Sequence, residues 1–332
     1  MAPRMSRPKR TRTLRRLAFF LLLASCGSRT GLFVDDTPDL LPVVDAGPGN
    51  GGRRDGGRIR DGGEEEELDA LPPIDARPPI DADRTDCPDA AATLVYLISS
   101  DNQLYSFDPA ASATKLIGTI ACPAGPGDTP FSMAVDRKGV AYVQFTDGRL
   151  YRVSTLTAAC VGTPFQPGQQ GFQQFGMGFA TNDVGPTETL FVAGSRAAGS
   201  GGEGLARVDL STWRLTKIGD FTPTVINAEL TGTGDGRLFG FYAKNANGNP
   251  PTYIGEIDTS NAKVLAEKRL DGVGLENGWA FAAWGGDFYA FTAPNGTNSI
   301  VTRWRPANDT VTQVATLPAR IVGAGVSTCA PQ

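Results

Sequence analysis

The sequence predicts an all-β domain, a five-bladed β-propeller, carried behind an amino-terminal leader and a polar linker. Three observations predict it. The 332 residues include 41 glycines and 24 prolines, a punctuation suited to many turns and short strands rather than long helices. A phrase of short apolar segments recurs along residues 87–332, with equivalent points at Met133, Met177, Ala228, Ala280 and Ala324 spaced by 44, 51, 52 and 44 residues, in or near the period of a four-stranded blade. The first copy lacks its opening strand, and a segment of the missing character stands at the far end of the chain, Ile321 to Thr328.

Composition removes several functions at once. The chain has no histidine, which excludes Ser-His-Asp and Cys-His catalysis and histidine metal ligands. Residues 1 to 25 carry seven basic and no acidic groups, leaving 24 basic against 35 acidic groups in the rest. An acidic mature chain argues against nucleic acid as a partner.

The leader comes first. Arg4, Arg7, Lys9, Arg10, Arg12, Arg15 and Arg16 precede the apolar run Leu17 to Ala24, LAFFLLLA, a charged region followed by a short hydrophobic one. Eight residues of helix reach about 12 Å against a hydrocarbon core of roughly 30 Å, so the run is too short for a stable span. Arg15-Arg16 stands where a twin-arginine signal would, but Leu14 replaces the Ser or Thr of that motif, and a plain basic region is the better reading. The sequence Leu23-Ala24-Ser25-Cys26 resembles the lipobox of bacterial lipoproteins. The resemblance implies cleavage before Cys26, diacylglycerol and acyl (palmitate-type) modification of that cysteine, and membrane attachment through the lipids. Gly27 follows the cysteine, and the absence of Asp there is similar to the outer-membrane sorting pattern. Several acyl chains hold a membrane far more firmly than one.

Residues 26–86 read as a tether. After Cys26 they hold 15 acidic and 7 basic groups, the runs GPGNGGRRDGG and GGEEEELDALPP, and the small repeat PPIDARPPIDAD. Nothing in them buries a core, so disorder is the expectation. Sixty flexible residues span about 40 Å on average, enough to hold a domain clear of a lipid surface. Glu64 to Glu67 are adjacent carboxylates without the fixed oxygen cage that calcium requires, and a solvated charge run is the better reading.

The domain, residues 87–332, has 17 basic and 20 acidic groups. Its first copy reads LVYLISS, QLYSFD and TKLIGTI. The second runs from Phe131 through FSMAV, the alternating strand Val140 to Phe145, Asp147-Gly148, and the alternating strand Arg149 to Val153. Asp-Gly between alternating runs predicts a tight hairpin with positive φ at both central positions. GMGFA, TLFVAG, GLARVDL and RLTKIG form the third copy. NAELTG, RLFGFYA, TYIGEID and KVLAEKRL form the fourth, and WAFAAW, DFYAFTA, SIVTRW and TVTQVA the fifth. The segment IVGAGVST then supplies the inner strand of the first blade, closing the ring. Asp136, Gly139, Tyr142 and Val143 give a D-x-x-G-x-x-Y-V phrase that resembles a broad class of propeller repeats and carries fold without function. A pair of β-sandwiches and a six-bladed ring with one divergent blade are the rival folds.

Four cysteines remain after Cys26, at 87, 122, 160 and 329, and an envelope compartment permits disulfides. Cys87 precedes the first strand and Cys329 follows the closing one, so their pairing would lock the ring. That leaves Cys122 with Cys160. Closing more than 200 residues between Cys87 and Cys329 is worth about 4 to 5 kcal/mol in the chain-entropy model.

Chemical signatures are sparse. Thr231 to Gly236 is glycine-rich but runs into a strand and lacks a P-loop lysine, so it reads as a hairpin turn. Ala198 to Gly202 lacks the first glycine of a nucleophile elbow. Asp108, Asp209 and Asp258 each end a third strand and read as Asx turns. Asn182, Asp183, Asn227, Glu229, Glu276 and Asn277 lie on or beside inner strands lining the expected tunnel. The set resembles the axial Glu, Asn and Asp ligands with which some lactone-hydrolysing propellers hold calcium. Glu229, Asn227 and Asn277 are then the candidate ligands, although only Glu229 falls in mid-strand and solvated polar side chains are the simpler reading. No metal or other cofactor is otherwise implied. A glycosidase pair of carboxylates has Asp136, Glu188, Glu229 and Glu256 to draw on, with nothing to single out two.

Loop lengths give the best functional clue. Second-to-third loops swell at 195–203 and 244–251, and fourth-to-first connections run long at 122–130, 164–174 and 271–278. In a propeller both classes open on one face, and insertions concentrated on one face mark a binding surface. Gln169, Gln170, Gln173, Gln174, Asn245, Asn247, Asn249 and Trp279 fall there, of which Gln169, Gln173, Asn245, Asn247 and Trp279 are the leading ligand contacts. The expectation is a monomeric binding module for an envelope protein, peptide or glycan. A calcium-dependent lactonase or another carboxylate hydrolase at the tunnel mouth is the alternative.

Overall fold

The computed structural model describes residues 94–182, 187–194, 203–245 and 251–331. The leader, the tether, Cys26 and Cys87 therefore lie outside the described residues. Twenty strands build five four-stranded antiparallel sheets. In chain order they are β1 (Val95–Ser99), β2 (Gln103–Asp108) and β3 (Ala113–Thr119), then β4 (Pro130–Val135), β5 (Val140–Phe145), β6 (Leu150–Ser154) and β7 (Cys160–Gly162). They continue as β8 (Phe175–Thr181), β9 (Glu188–Gly194), β10 (Leu205–Asp209) and β11 (Arg214–Gly219), followed by β12 (Ile226–Gly232), β13 (Leu238–Ala243), β14 (Thr252–Ile257) and β15 (Val264–Leu270). The last blade is β16 (Trp279–Trp284), β17 (Asp287–Thr292), β18 (Ser299–Arg305) and β19 (Thr310–Leu317), and β20 (Ile321–Val326) ends the series.

The sheets are the blades of a five-bladed β-propeller. β20 pairs antiparallel with β1, Ala324 opposite Leu97, so the carboxy-terminal strand is the inner strand of blade one. The repeat had required this of IVGAGV, whose small residues match the other inner strands.

Burial follows radial position. Every residue of β8 is buried, whereas the rim strand β3 is half-buried at best and otherwise exposed. Inner strands meet neighbours on both faces and are buried along most of their length, whereas rim strands are mostly exposed. Between each pair of adjacent blades lies one apolar layer, five in all. Phe107 of blade one meets Phe291 of blade five edge-to-face at 5.6 Å, and Tyr142 of blade two meets Phe179 of blade three at 5.4 Å. A fully buried Phe contributes roughly 2–3 kcal/mol by removal from water.

The hairpin at Asp147-Gly148 differs from expectation. Only Gly148 takes positive φ, at 83°. The Gly148 N–H donates to Phe145 O at 2.8 Å and the Phe145 N–H to Arg149 O at 3.0 Å, a three-residue loop ending in a left-handed glycine. Thr146 is thereby part of the turn, and β6 starts at Leu150 rather than Arg149. The D-x-x-G phrase makes the same turn. The Asp136 carboxylate accepts the N–H groups of Lys138 and Val140 at 2.9 and 2.8 Å, and Gly139 takes φ 76°. The predicted Asx turns are present, with Asp108, Asp209 and Asp258 each accepting the N–H two residues on at 2.8–2.9 Å.

Cys122 and Cys160 form a disulfide, Cα to Cα 5.0 Å, joining blade one to blade two. Their separation of 38 residues makes the link worth about 4 kcal/mol in the chain-entropy model. Cys329 is disulfide-bonded; Cys87, its predicted partner, is outside the described residues.

Candidate functional site

The inner strands, expected to line a tunnel, instead fill the axis. A Cβ placed on Gly176 of β8 would stand 1.9 Å from Ala228 O of β12, and one on Gly323 of β20 would stand 2.7 Å from Met133 N of β4. Backbones of adjacent blades thus touch where glycine allows it, and the gap between β4, β8, β12 and β20 has no room for a water molecule. The propeller has two separate axial mouths.

Antiparallel strands alternate direction, so second-to-third loops and fourth-to-first connections share one mouth. There a cavity of about 170 Å³ is lined by Thr129, Pro130, Phe131 and Thr146 of blade two, Glu229 of blade four, Asn277, Gly278 and Trp279 of blade five, and Arg320 and Val322 of blade one. Convergence of several elements on one concave, largely apolar spot is the usual form of a ligand site. A larger recess of about 500 Å³ includes Glu188, Arg207, Asp209 and Ser211, but its whole lining comes from blade three.

Glu229 is the floor of the axial cavity. It is 2% exposed; Ser132 Oγ of β4 donates to its Oε2 at 2.8 Å, and the Met177 N–H of β8 donates to the same carboxyl. Burial pushes this carboxyl well above the usual carboxylate range, against the pull of those two bonds.

Arg320 and Trp279 form the walls. The Ser100 N–H donates to Arg320 O at 2.9 Å, and the Ile321 N–H donates to Ser299 Oγ at 2.9 Å, so the backbone on either side of Arg320 is held. Its side chain is different: Arg320 Nε is buried without a hydrogen-bond partner, as is Trp279 Nε1. Among the described residues Arg320 has no salt bridge. The rim is stitched by Thr146, whose N–H donates to Thr129 O at 2.9 Å and whose Oγ1 accepts the Thr129 N–H at 3.2 Å.

Of the residues singled out from sequence, the fold brings Glu229, Asn277 and Trp279 to this one cavity. Asn277 Nδ2 donates to Pro294 O at 2.9 Å. Asn227 opens β12 with φ 53° and does not line the cavity. Asn182 lies at the opposite mouth, its Oδ1 accepting from Thr189 Oγ1 at 2.8 Å. Among the described residues no three His, Cys, Asp or Glu side chains come together as a metal site. Gln169 and Gln170 lie along the rim strand β11: the Gln169 amide bonds Trp213 O and Leu215 N, and the Gln170 amide bonds Leu215 O and Lys217 N, at 3.0–3.2 Å. They cover an open sheet edge as a paired strand would. Gln173 offers its carbonyl to the buried Gln144 amide at 3.2 Å. Asn245 is exposed beyond β13, and Asn247 lies outside the described residues.

Sequence reasoning missed Ser132, Gln144 and Arg320. Ser132 and Gln144 were lone polar residues in apolar strands, and Arg320 the one cation set against the start of the closing strand.

Comparison with known proteins adds little. No family model matches the chain and no curated protein is a significant relative. Several solved structures are distantly similar. A chain of a mitotic checkpoint complex is 13% identical with TM-score 0.38, covering 82% of this chain and 93% of that one. Hydrazine synthase of Kuenenia stuttgartiensis is 14% identical with TM-score 0.37, covering 69% and 67%. A Bacteroides caccae protein of unknown function is 10% identical with TM-score 0.36, covering 70% and 98%. At such scores no activity transfers from them, and the site stands on its own residues.

Proposed function

We propose that this chain is a lipid-anchored protein of the cell envelope, held at the outer membrane through Cys26, which presents its propeller on an acidic tether as a binding module. One observation carries the binding part: residues of four blades converge on a cavity at the long-loop mouth, with Trp279 and Arg320 each holding a buried donor that has no partner. Envelope proteins, peptides and glycans are the partners its tethered setting offers. The anchor rests on the charged region, the apolar run and the LASC box in their order and spacing. The hydrolase alternative is weaker, because Glu229 is the only carboxylate among the described residues lining the cavity and paired-carboxylate chemistry needs two.

Cys26→Ala should move the protein from membranes to the soluble fraction; undiminished membrane retention overturns the anchor. A panel of small acids, amides and oligosaccharides, followed by ligand-observed NMR, tests the module. A probe whose binding disappears in Trp279→Ala supports it, and a panel in which no binding depends on Trp279 overturns it.

A further inference from the structure

We infer that the cavity at the long-loop mouth is a receptor for a small monocarboxylate with a compact apolar body, Arg320 serving as the counter-ion. The inference rests on the binding reading above and adds the class of ligand.

Charge is the first argument. Among the described residues Arg320 is the only cationic one lining the cavity, and no carboxylate pairs with it. Glu229, the one acid of the lining, bonds instead with Ser132 and the Met177 N–H. Burial disfavours the charged form of that carboxyl, which weakens its opposition to an incoming anion. A cation would meet the unpaired charge of Arg320.

Hydrogen bonding is the second. Buried donors without acceptors are rare in folded proteins and costly when they occur. Two such donors, Trp279 Nε1 and Arg320 Nε, belong to side chains lining the same cavity. A carboxylate has two acceptor oxygens and matches a guanidinium in a planar, two-point contact. A neutral sugar would leave the guanidinium charge unanswered. Phosphate near neutral pH carries more negative charge than one arginine offsets, and the described lining residues include no second cation.

Shape is the third. Pro130, Phe131, Val322 and the Trp279 ring make the remaining wall apolar. The volume of about 170 Å³ is close to the roughly 150 Å³ of a cavity that holds benzene. An aromatic or branched aliphatic acid of about that size fits, its apolar body against the wall. The flanking backbone bonds fix Arg320 in place by its carbonyl and its neighbour's N–H, and they survive a change of side chain.

The test uses the full chain in detergent and three probes at millimolar concentration: phenylacetate, its neutral isostere phenylacetamide, and inorganic phosphate. Phenylacetate should bind about tenfold or more tighter than phenylacetamide, and Arg320→Gln should erase that difference while leaving the thermal midpoint unchanged. Arg320→Lys should keep part of the preference, since it retains the charge but loses the planar fork. Equal binding of acid and amide overturns the inference, as does phosphate displacing phenylacetate, an Arg320→Gln protein that still prefers the acid, or no binding of either phenyl probe. If the amide binds as tightly as the acid, or an oligosaccharide binds in place of both, and that binding depends on Trp279, the acid class fails and the binding module stands. If nothing depends on Trp279, both fail.

Discussion

Two glutamates, Glu188 half-buried and Glu229 buried, face opposite mouths of this propeller, and the arginine beside each is held differently. At the short-loop mouth Glu188 accepts the Arg137 N–H at 2.7 Å and the Thr328 hydroxyl at 2.9 Å, while Arg137 Nη1 reaches Thr181 and Thr328 at 3.4 and 3.3 Å. Glutamate and arginine there belong to one network joining blades one, two and three beside the point of closure. At the long-loop mouth Glu229 is equally well bonded, but the arginine is not part of its network. Each arginine has a buried Nε without an acceptor, but Arg137 is tied into the seam between blades through Nη1, whereas Arg320 lines a cavity.

Three substitutions break or sharpen that contrast. The largest effect is expected from Gly176→Val, because its Cβ would collide with Ala228 O and come within 2.8 Å of Glu229 Cα. The two mouths are separate because these backbones touch. Forcing them apart should cost more than about 3 kcal/mol in denaturant unfolding. A loss below 1 kcal/mol would mean that the axis is not tightly packed.

Glu188→Gln should come next. Burial pushes the Glu188 carboxyl up to about 7 from an ordinary 4.5. Between those pH values the folded protein keeps a proton that the unfolded chain has lost. Stability therefore falls as pH rises through that window and levels off above it. The amide cannot titrate, so the variant should lack this fall, which amounts to about 3 kcal/mol. Unfolding curves at pH 4.5, 6 and 7.5 check it, and an unchanged pH dependence would remove Glu188 from the short-loop network.

Ser132→Ala should have the smallest effect, about 1 kcal/mol for one buried hydrogen bond. It deprives Glu229 of a donor and pushes its carboxyl still higher, so the Glu188 window should stay where it is. A shift of that window would show that the two glutamates are coupled through the axis.

Most of the fold was legible in the sequence. Spacing of the small-apolar strands gave the blade count, and the missing first strand located the closure. The aspartates ending the third strands announced their turns, and the four cysteines allowed the Cys122–Cys160 link to be picked from three pairings. The site was only partly legible. Trp279, Glu229 and Asn277 were picked out, yet for different roles, while Arg320 passed unnoticed. Gln169, chosen for its polarity and loop position, lies instead along a strand edge, which no local pattern distinguishes from a ligand contact.

The division has a physical cause. Strand periodicity, turn chemistry and repeat length are written in residues a few places apart, so the sequence alone determined that this chain makes five blades and which segment closes them. The cavity draws on residues from Thr129 to Val322 in four blades, brought together only when the ring closes. Whether the axis is open depends on how near two backbones approach at a glycine, and whether an arginine is paired depends on what another blade places beside it. Those are properties of inter-blade packing, and only the tertiary structure decides them.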